Sequence, residues 1–398
     1  MVALLLAASF TPVEGVQVHC AENTQGKSGR ARVEVVVGAG ALHEADDQHG
    51  VAHLLEHLLL RPLGFDDNNG ATDWDRTRYF SDVRATELST AAVRLVRAIR
   101  DAEFTEADLE IERRVVLREL TERGDTTLPR PMFGSTPLSR PIGGDARSVK
   151  GLSLDDLRGF HQAHHVRGNL AVLLLGADRC AETIERLRPE LEAFAPGPAA
   201  KVPPITADHP GATRLPGQGF EAGFFWYDAS PTDALVMRLV AKHLEQRALE
   251  QLRKQEGLAY TPKATYRSMG RAGLIAIDVK TSGASSQVSR WYDRTVAELR
   301  DADDPLALMA AAVDQVRRSF DSVSAVDALA RLRDQPSPSA LLADLDNPTL
   351  TRSLARMIAP DRGFGSGQKS LVEVLVLVAC GAGILAFIGW LGRSLLRG

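Results

Sequence analysis

Two histidines and a glutamate stand inside an apolar run at His53-Leu54-Leu55-Glu56-His57, and Leu58, Leu59 and Leu60 follow without a break. Such a run folds as a buried element, where imidazoles and carboxylates are costly unless a metal or hydrogen bonds compensate them. On a helix, positions four apart are neighbours, so His53 and His57 can hold one metal ion between them with Glu56 on the same side. The run therefore constrains the chain twice. It demands a helix covered by other elements, and it demands a second element that brings further polar groups to it.

A catalytic zinc takes three protein ligands and keeps its fourth position open. The segment from Thr105 to Leu120 has an N-cap residue, acidic groups in its first turn and an amphipathic helical pattern. Within it Glu112 and Glu119 lie two turns apart and share a face. Taken alone, each reads as a solvated surface acid; downstream of a histidine pair, Glu119 is the candidate third ligand. The H-x-x-E-H order inverts the H-E-x-x-H of zincins and marks the inverzincins, whose internal Glu is a general base.

With these residues the chain resembles the pitrilysin, insulin-degrading enzyme and mitochondrial processing peptidase family, in which the inverted motif precedes a helix of the form E-x-x-x-x-x-x-E. The resemblance implies a Zn2+ cofactor with His53, His57 and Glu119 as ligands, Glu56 as the base that activates the attacking water, and Glu112 as the acid supporting the site. Asn69-Gly70-Ala71-Thr72, followed by Thr77, Tyr79 and Phe80, is similar to the family's edge strand, whose backbone pairs with an extended substrate peptide. Without the resemblance, Asn68-Asn69-Gly70 reads as a turn. Residues 160–165 and 169–176 resemble the helix and strand that close the family's first domain, with His161, His164 and His165 read as surface histidines at a helix end. Arg253 to Tyr260 is similar to the signature of the second domain, which implies that Arg253 and Tyr260 reach across a chamber towards the bound peptide and its tetrahedral intermediate. On residue type alone Gly257 is a helix C-cap and Tyr260 opens a strand.

The chain also departs from the family pattern. Twelve positions separate His57 from Asn69 and 62 separate His57 from Glu119, both short, so the helix that follows the motif in the family is expected to be missing. The second domain reads as abbreviated after Pro360-Asp361-Arg362. These losses spare the metal ligands and bear on how the chamber closes.

At 398 residues and 44% hydrophobic, the chain is long enough for two cores. A net charge of −4 gives no reason to expect nucleic acid. Cys20, Cys180 and Cys380 are odd in number and far apart, and indicate neither a disulfide framework nor a second metal site. From Val374 to Leu391 the chain is uncharged, enough to cross a bilayer as a helix, behind a Gly363-Phe364-Gly365-Ser366-Gly367 tether and with Trp390 placed for an interface. Arg362 and Lys369 before it balance Arg393 and Arg397 after it. Residues 2–8 are apolar but short and without a basic n-region, and are assigned to the approach to the first strand rather than to a secretory signal.

The fold expected is α+β: two related α/β-sandwich domains, antiparallel sheets with helices, forming a clamshell around a peptide, plus one C-terminal transmembrane helix. The first domain spans 9–195, a Pro-rich linker 196–214, the second domain 215–361, a tether 362–371 and the membrane helix 372–392. Strands are expected at 16–20, 33–37, 170–175, 260–267 and 272–280, and helices near 87–101, 105–123 and 232–255. The function expected is a membrane-anchored zinc endopeptidase that cuts peptides or unfolded segments, with its catalytic domain in the cytoplasm. A non-catalytic family member, acting as scaffold or regulatory subunit of a peptidase pair, is the alternative. As partners, the reading gives a peptide substrate, the membrane, and a second copy or a second family subunit.

Overall fold

The computed structural model describes residues 8–22, 29–64, 66–123, 136–177, 179–203, 212–216, 219–226, 229–269, 272–281, 285–319, 330 and 335–358. Its first half is built on six strands, β1 (Ala8–Val13), β2 (Val16–Glu22), β3 (Arg30–Val37), β4 (Asn68–Thr72), β5 (Thr77–Arg84) and β6 (Leu170–Ala177), in the spatial order β1-β2-β6-β3-β5-β4. Side chains alternate across a strand. On β3, Ala31, Val33, Val35 and Val37 enter the main core while Arg32, Glu34 and Val36 take the opposite face.

Against the core face lie α1 (Val51–Leu60), α2 (Leu88–Asp101), α3 (Glu106–Arg123), α4 (Ala146–Gly151), α5 (Leu154–His164) and α6 (Cys180–Glu192). All ten residues of α1 are buried, as its leucine run demands. A 3-10 turn, Arg61–Leu63, ends that helix and β4 begins only five residues later, so the expected absence of a helix after the motif holds. The side-chain amide of Asn68 donates to the carbonyls of Leu63 and Gly64 (3.2 and 3.0 Å), tying this short connection down.

One expectation for this sheet is corrected. It is mixed rather than antiparallel, because β2 and β6 run parallel, from Gln17 beside Ala171 to Ala21 beside Leu175. Parallel neighbours need a long crossover, and here everything between the two strands, α1 included, forms it.

A second correction follows from the same pairing. Cys20 and Cys180 form a disulfide with Cα atoms 5.9 Å apart. The sequence hides this bond behind a separation of 160 residues. Pairing β2 with β6 brings the start of α6, which follows β6 directly, back beside β2.

The second half carries a four-stranded antiparallel sheet in the order β7-β8-β10-β9, from β7 (Ala212–Pro216), β8 (Gly219–Trp226), β9 (Lys263–Met269) and β10 (Ala272–Lys280). Strand β7 starts inside the stretch expected as linker, and β9 starts three residues beyond Tyr260, which therefore does not open it. Around this sheet are α7 (Pro231–Ala248), α8 (Ser285–Arg300), α9 (Pro305–Leu308), α10 (Ala310–Ser319), α11 (Pro338–Ala343) and α12 (Asn347–Met357). Helix α7 continues as a π-helical stretch, Leu249–Gln255, up to the Arg253 signature. Ser230 caps α7 through the backbone N–H of Asp233, and Pro231 sits at its first turn. Trp291, Tyr292 and Phe224 are among the large side chains that fill this core.

The halves meet in one apolar cluster, in which Leu42, Trp74 and Leu138 pack with Met269, Ala272 and Leu274 of β9 and β10. Trp74 belongs to the tight turn between β4 and β5. In that turn the buried Arg76 guanidinium pairs with Asp73 and Asp75, each at 2.9 Å.

The membrane assignment is corrected as well. No helix among the described residues is long and apolar enough to cross a membrane, and the proposed span 372–392 lies outside those residues, as do the tether and residues 1–7. A single-pass anchored chain is not retained.

Candidate metal centre

The geometry of the site starts at the entry to α1. Gly50 precedes the helix with φ +91°, and a Cβ there would stand 2.6 Å from the carbonyl oxygen of Gly143. Glycine satisfies both the left-handed backbone and the close approach. The buried carboxylate of Glu44 accepts the backbone N–H groups of Gly50 and Ala52 (3.0 and 3.1 Å), which would otherwise be orphaned at the helix start. Burial outweighs these bonds and holds the Glu44 carboxyl above its ordinary pKa.

One and two turns on, the His53 and His57 rings face each other edge to face with centroids 4.9 Å apart. Helix α3 crosses alongside. Glu119 places Oε2 3.8 Å from His53 Nε2 and Oε1 3.6 Å from His57 Nε2. Ligand atoms of a tetrahedral zinc lie about 3.3 Å apart, given bond lengths near 2.0–2.1 Å, so the two Glu119 contacts are a few tenths of an ångström wider than a zinc needs. All three donor atoms fall within 4.8 Å of one another. The residues fit the metal: two buried imidazoles and a half-buried carboxylate, nitrogen and oxygen donors of the kind zinc takes.

Glu112, seven residues before Glu119, is buried. Its Oε2 stands 3.3 Å from His57 Nδ1, and its Oε1 accepts a 2.7 Å hydrogen bond from Arg61. A carboxylate on the far ring nitrogen turns Nε2 of a histidine towards a metal.

Glu56, on the same helix as the two histidines, meets β4. Thr72 Oγ1 donates to Glu56 Oε2 over 2.6 Å, and a Cβ on Gly70 would lie 2.4 Å from Oε1 of the same carboxylate. Gly70 and Thr72 alternate onto the helix side of β4, and only glycine leaves room for the acid. Asn69 is exposed, and its Oδ1 accepts the backbone N–H of Gly70 at 2.8 Å. Strand β4 pairs with β5 and ends the sheet.

Behind this layer, Tyr79 and His165 are buried against each other, with the phenol oxygen 3.1 Å from Nε2. Burial, and secondarily the Glu56 charge, raises the phenol pKa well above its usual value. Burial also drives His165 well below the imidazole range, with His161 and His164 adding to the effect. The reading of these histidines as surface groups is corrected: His165 is fully inside, and His161 is partly buried with Nε2 at 2.7 Å from the Ile99 carbonyl. The fold turns the end of α5 inward onto α2 and β5.

Arg253 and Tyr260 meet each other at the surface of the second half, the guanidinium 5.3 Å from the ring centre, with Tyr260 77% exposed. The sequence reading missed Glu44, Arg61, Gly50 and Gly143. For Arg61 a signal was present, since it stands four residues after His57 on the same helical stripe.

Family models match in two places: insulinase (peptidase family M16) over residues 20–62, and the peptidase M16 inactive domain over residues 151–320. The chain is 28% identical over 197 residues to a probable mitochondrial-processing peptidase subunit beta of Arabidopsis thaliana, covering 44% of this chain and 36% of that protein. It is 28% identical to an uncharacterized zinc protease of Mycobacterium tuberculosis, over 37% of this chain and 38% of that one. The chain thus spans well under two thirds of the curated relatives it matches. Among solved structures, the peptidase M16 inactive domain from Pseudomonas fluorescens superposes with a TM-score of 0.71 at 17% identity, over 90% of this chain and 97% of that one. A protease from Helicobacter pylori gives 0.70 at 16% identity, over 89% and 97%. These structures share the mixed α/β fold. With the inverted motif in the first matched segment and the same architecture through both halves, the chain belongs to the insulinase, or M16, peptidase family.

Proposed function

We propose that the chain is a zinc-dependent endopeptidase that hydrolyses peptides or unfolded protein segments. The observation that carries this reading is the meeting of His53, His57 and Glu119 within 4.8 Å, the histidines on the helix that also carries Glu56. Several relatives are named zinc proteases or processing peptidases, which supports it. Zinc held there supplies Lewis acidity and makes a water acidic enough to ionise near neutral pH. Glu56 takes the proton of the attacking water and later delivers it to the leaving amine. The Thr72 hydroxyl engages one oxygen of that carboxylate and orients it.

The substrate lies along the outer edge of β4, where Asn69, Gly70, Ala71 and Thr72 offer their backbone to an extended peptide; main-chain bonds give affinity and side-chain pockets give preference. Arg253 and Tyr260 are assigned to the oxyanion, reached when the second half closes over the peptide. The likeness to a processing-peptidase subunit and to a chain of the Candida albicans complex III structure (TM-score 0.68, 14% identity) supports pairing with a second family subunit, or with a second copy. A second reading, a non-catalytic partner subunit, takes its support from the match of residues 151–320 to the inactive-domain model.

Elemental analysis of protein purified without chelator, with cleavage of a quenched fluorogenic peptide before and after chelation, separates the two. Bound zinc and chelator-sensitive cleavage are expected. Absence of both leaves the partner-subunit reading.

A further inference from the structure

Helices α1 and α3 face each other along two matched stripes. On α1 and the turn that ends it the stripe reads His53, His57, Arg61, each four residues from the last. On α3 it reads Asp108, Glu112, Glu119. The pairing is antiparallel and sets basic side chains against acids: His53 and His57 with Glu119, His57 with Glu112, Arg61 with Glu112 and Asp108. The metal ligands are one end of this ladder.

Resting on the zinc reading above, we infer that Arg61 is a positioning residue of the metal site, acting on the ligand His57 through Glu112. Its guanidinium donates from Nη1 to Glu112 Oε1 at 2.7 Å and from Nε to Asp108 Oδ1 at 2.9 Å. A planar guanidinium held between two carboxylates from two of its nitrogens places the bonded oxygen of each as well as supplying charge. Glu112 is 2% exposed, and both of its oxygens have partners. With Oε1 held by Arg61, Oε2 is turned to His57 Nδ1. That contact keeps the ring proton on Nδ1 and offers Nε2 to a metal. Asp108 anchors the other side of the fork, and the Thr105 hydroxyl at the start of α3 donates to its second oxygen over 2.7 Å.

The outer side of the fork is open. A cleft of about 540 Å³, lined by Leu58, Arg61, Pro62, Glu103, Phe104 and Asp108, lies over it. The short connection from α1 to β4 places no helix there. Arg61 can therefore be exchanged without opening a void in the core.

The test is metal affinity by competition with a chromogenic chelator, for the full chain and for Arg61→Met, Arg61→Lys, Glu112→Gln and the Arg61→Met/Glu112→Gln pair, with folding checked by circular dichroism. Loss of a group that orients a metal ligand lowers affinity by roughly 10–100-fold, so Arg61→Met is expected to weaken zinc about tenfold. Arg61→Lys, which keeps the charge but cannot span two carboxylates, is expected to fall between the parent and Arg61→Met. In the Glu112→Gln background Arg61→Met is expected to add little. A folded Arg61→Met or Arg61→Lys protein with parental affinity, or an equal loss with and without Glu112, overturns the inference while leaving the zinc reading intact. A parent chain that binds no zinc removes both.

Discussion

The hydroxyl of Thr72 is bonded to the carboxylate of Glu56 over 2.6 Å. The strand at the open edge of the sheet and α1 are thereby joined at the residue assigned as base. A hydrogen bond to a charged group contributes about 2 kcal/mol, so Thr72→Val is expected to lower kcat about 30-fold with zinc content unchanged. Adding a methyl at Gly70, whose Cβ would meet Glu56 Oε1 at 2.4 Å, is expected to be at least as harmful. Steady-state kinetics on a fluorogenic peptide decide it: a rise in KM at constant kcat would make Thr72 a substrate contact only.

Glu56→Gln keeps the shape of the acid and removes its basicity. The variant is expected to retain zinc and to lose turnover by about 10²- to 10⁴-fold, the range of general acid–base catalysis. Peptidase activity near the parental level, with metal content measured on the same sample, sinks the assignment of the base.

The Cys20–Cys180 bond closes a loop across 160 residues. Constraint of the unfolded chain by so long a loop is worth about 5 kcal/mol in the chain-entropy picture. Cys180→Ala, or addition of a reductant, is expected to lower the urea midpoint of the first half markedly. A parental midpoint under reducing conditions would show that the bond is not formed or not stabilising.

His243 on α7 is buried, and burial, with the nearby Arg247 charge second, lowers its pKa to about 4. Its folded value lies below the unfolded value of about 6.5, so the unfolded chain binds the extra proton in between. The stability due to the neutral ring is full above about pH 6.5 and is lost as pH falls towards about 4. Between pH 7 and pH 5 the loss from this group is about 2 kcal/mol. In His243→Leu that slope is expected to disappear, as read from urea unfolding at the two pH values. An unchanged slope would place the acid sensitivity elsewhere.

What the sequence made legible was local. His53, Glu56 and His57 lie within one helical turn and advertise their shared face, and Glu119 was reachable because its spacing from Glu112 is also helical. Helices α2 and α3 and strands β3, β6 and β10 came out near their expected places because their apolar periodicity is strong. Contacts set by topology were not legible. Nothing near Cys20 announces Cys180, since only the parallel pairing of β2 with β6 joins them. His165 reads as a polar residue at a helix end until Tyr79, 86 positions away, is seen against it. Arg61 was ordinary until α3 supplied its two acids. The apolar run near the C-terminus reads as a membrane helix but lies outside the described residues, among which no helix is long and apolar enough to cross a membrane.

The disulfide has a meaning beyond stability for a chain assigned to cutting peptide bonds. His53, Glu56, His57, Thr72, Arg61, Glu112 and Glu119 all fall between Cys20 and Cys180. A single self-inflicted cut anywhere between those cysteines leaves both pieces covalently joined, with every group of the site still in one body. Such damage shows only on a reducing gel, because the two pieces travel together while the bond holds.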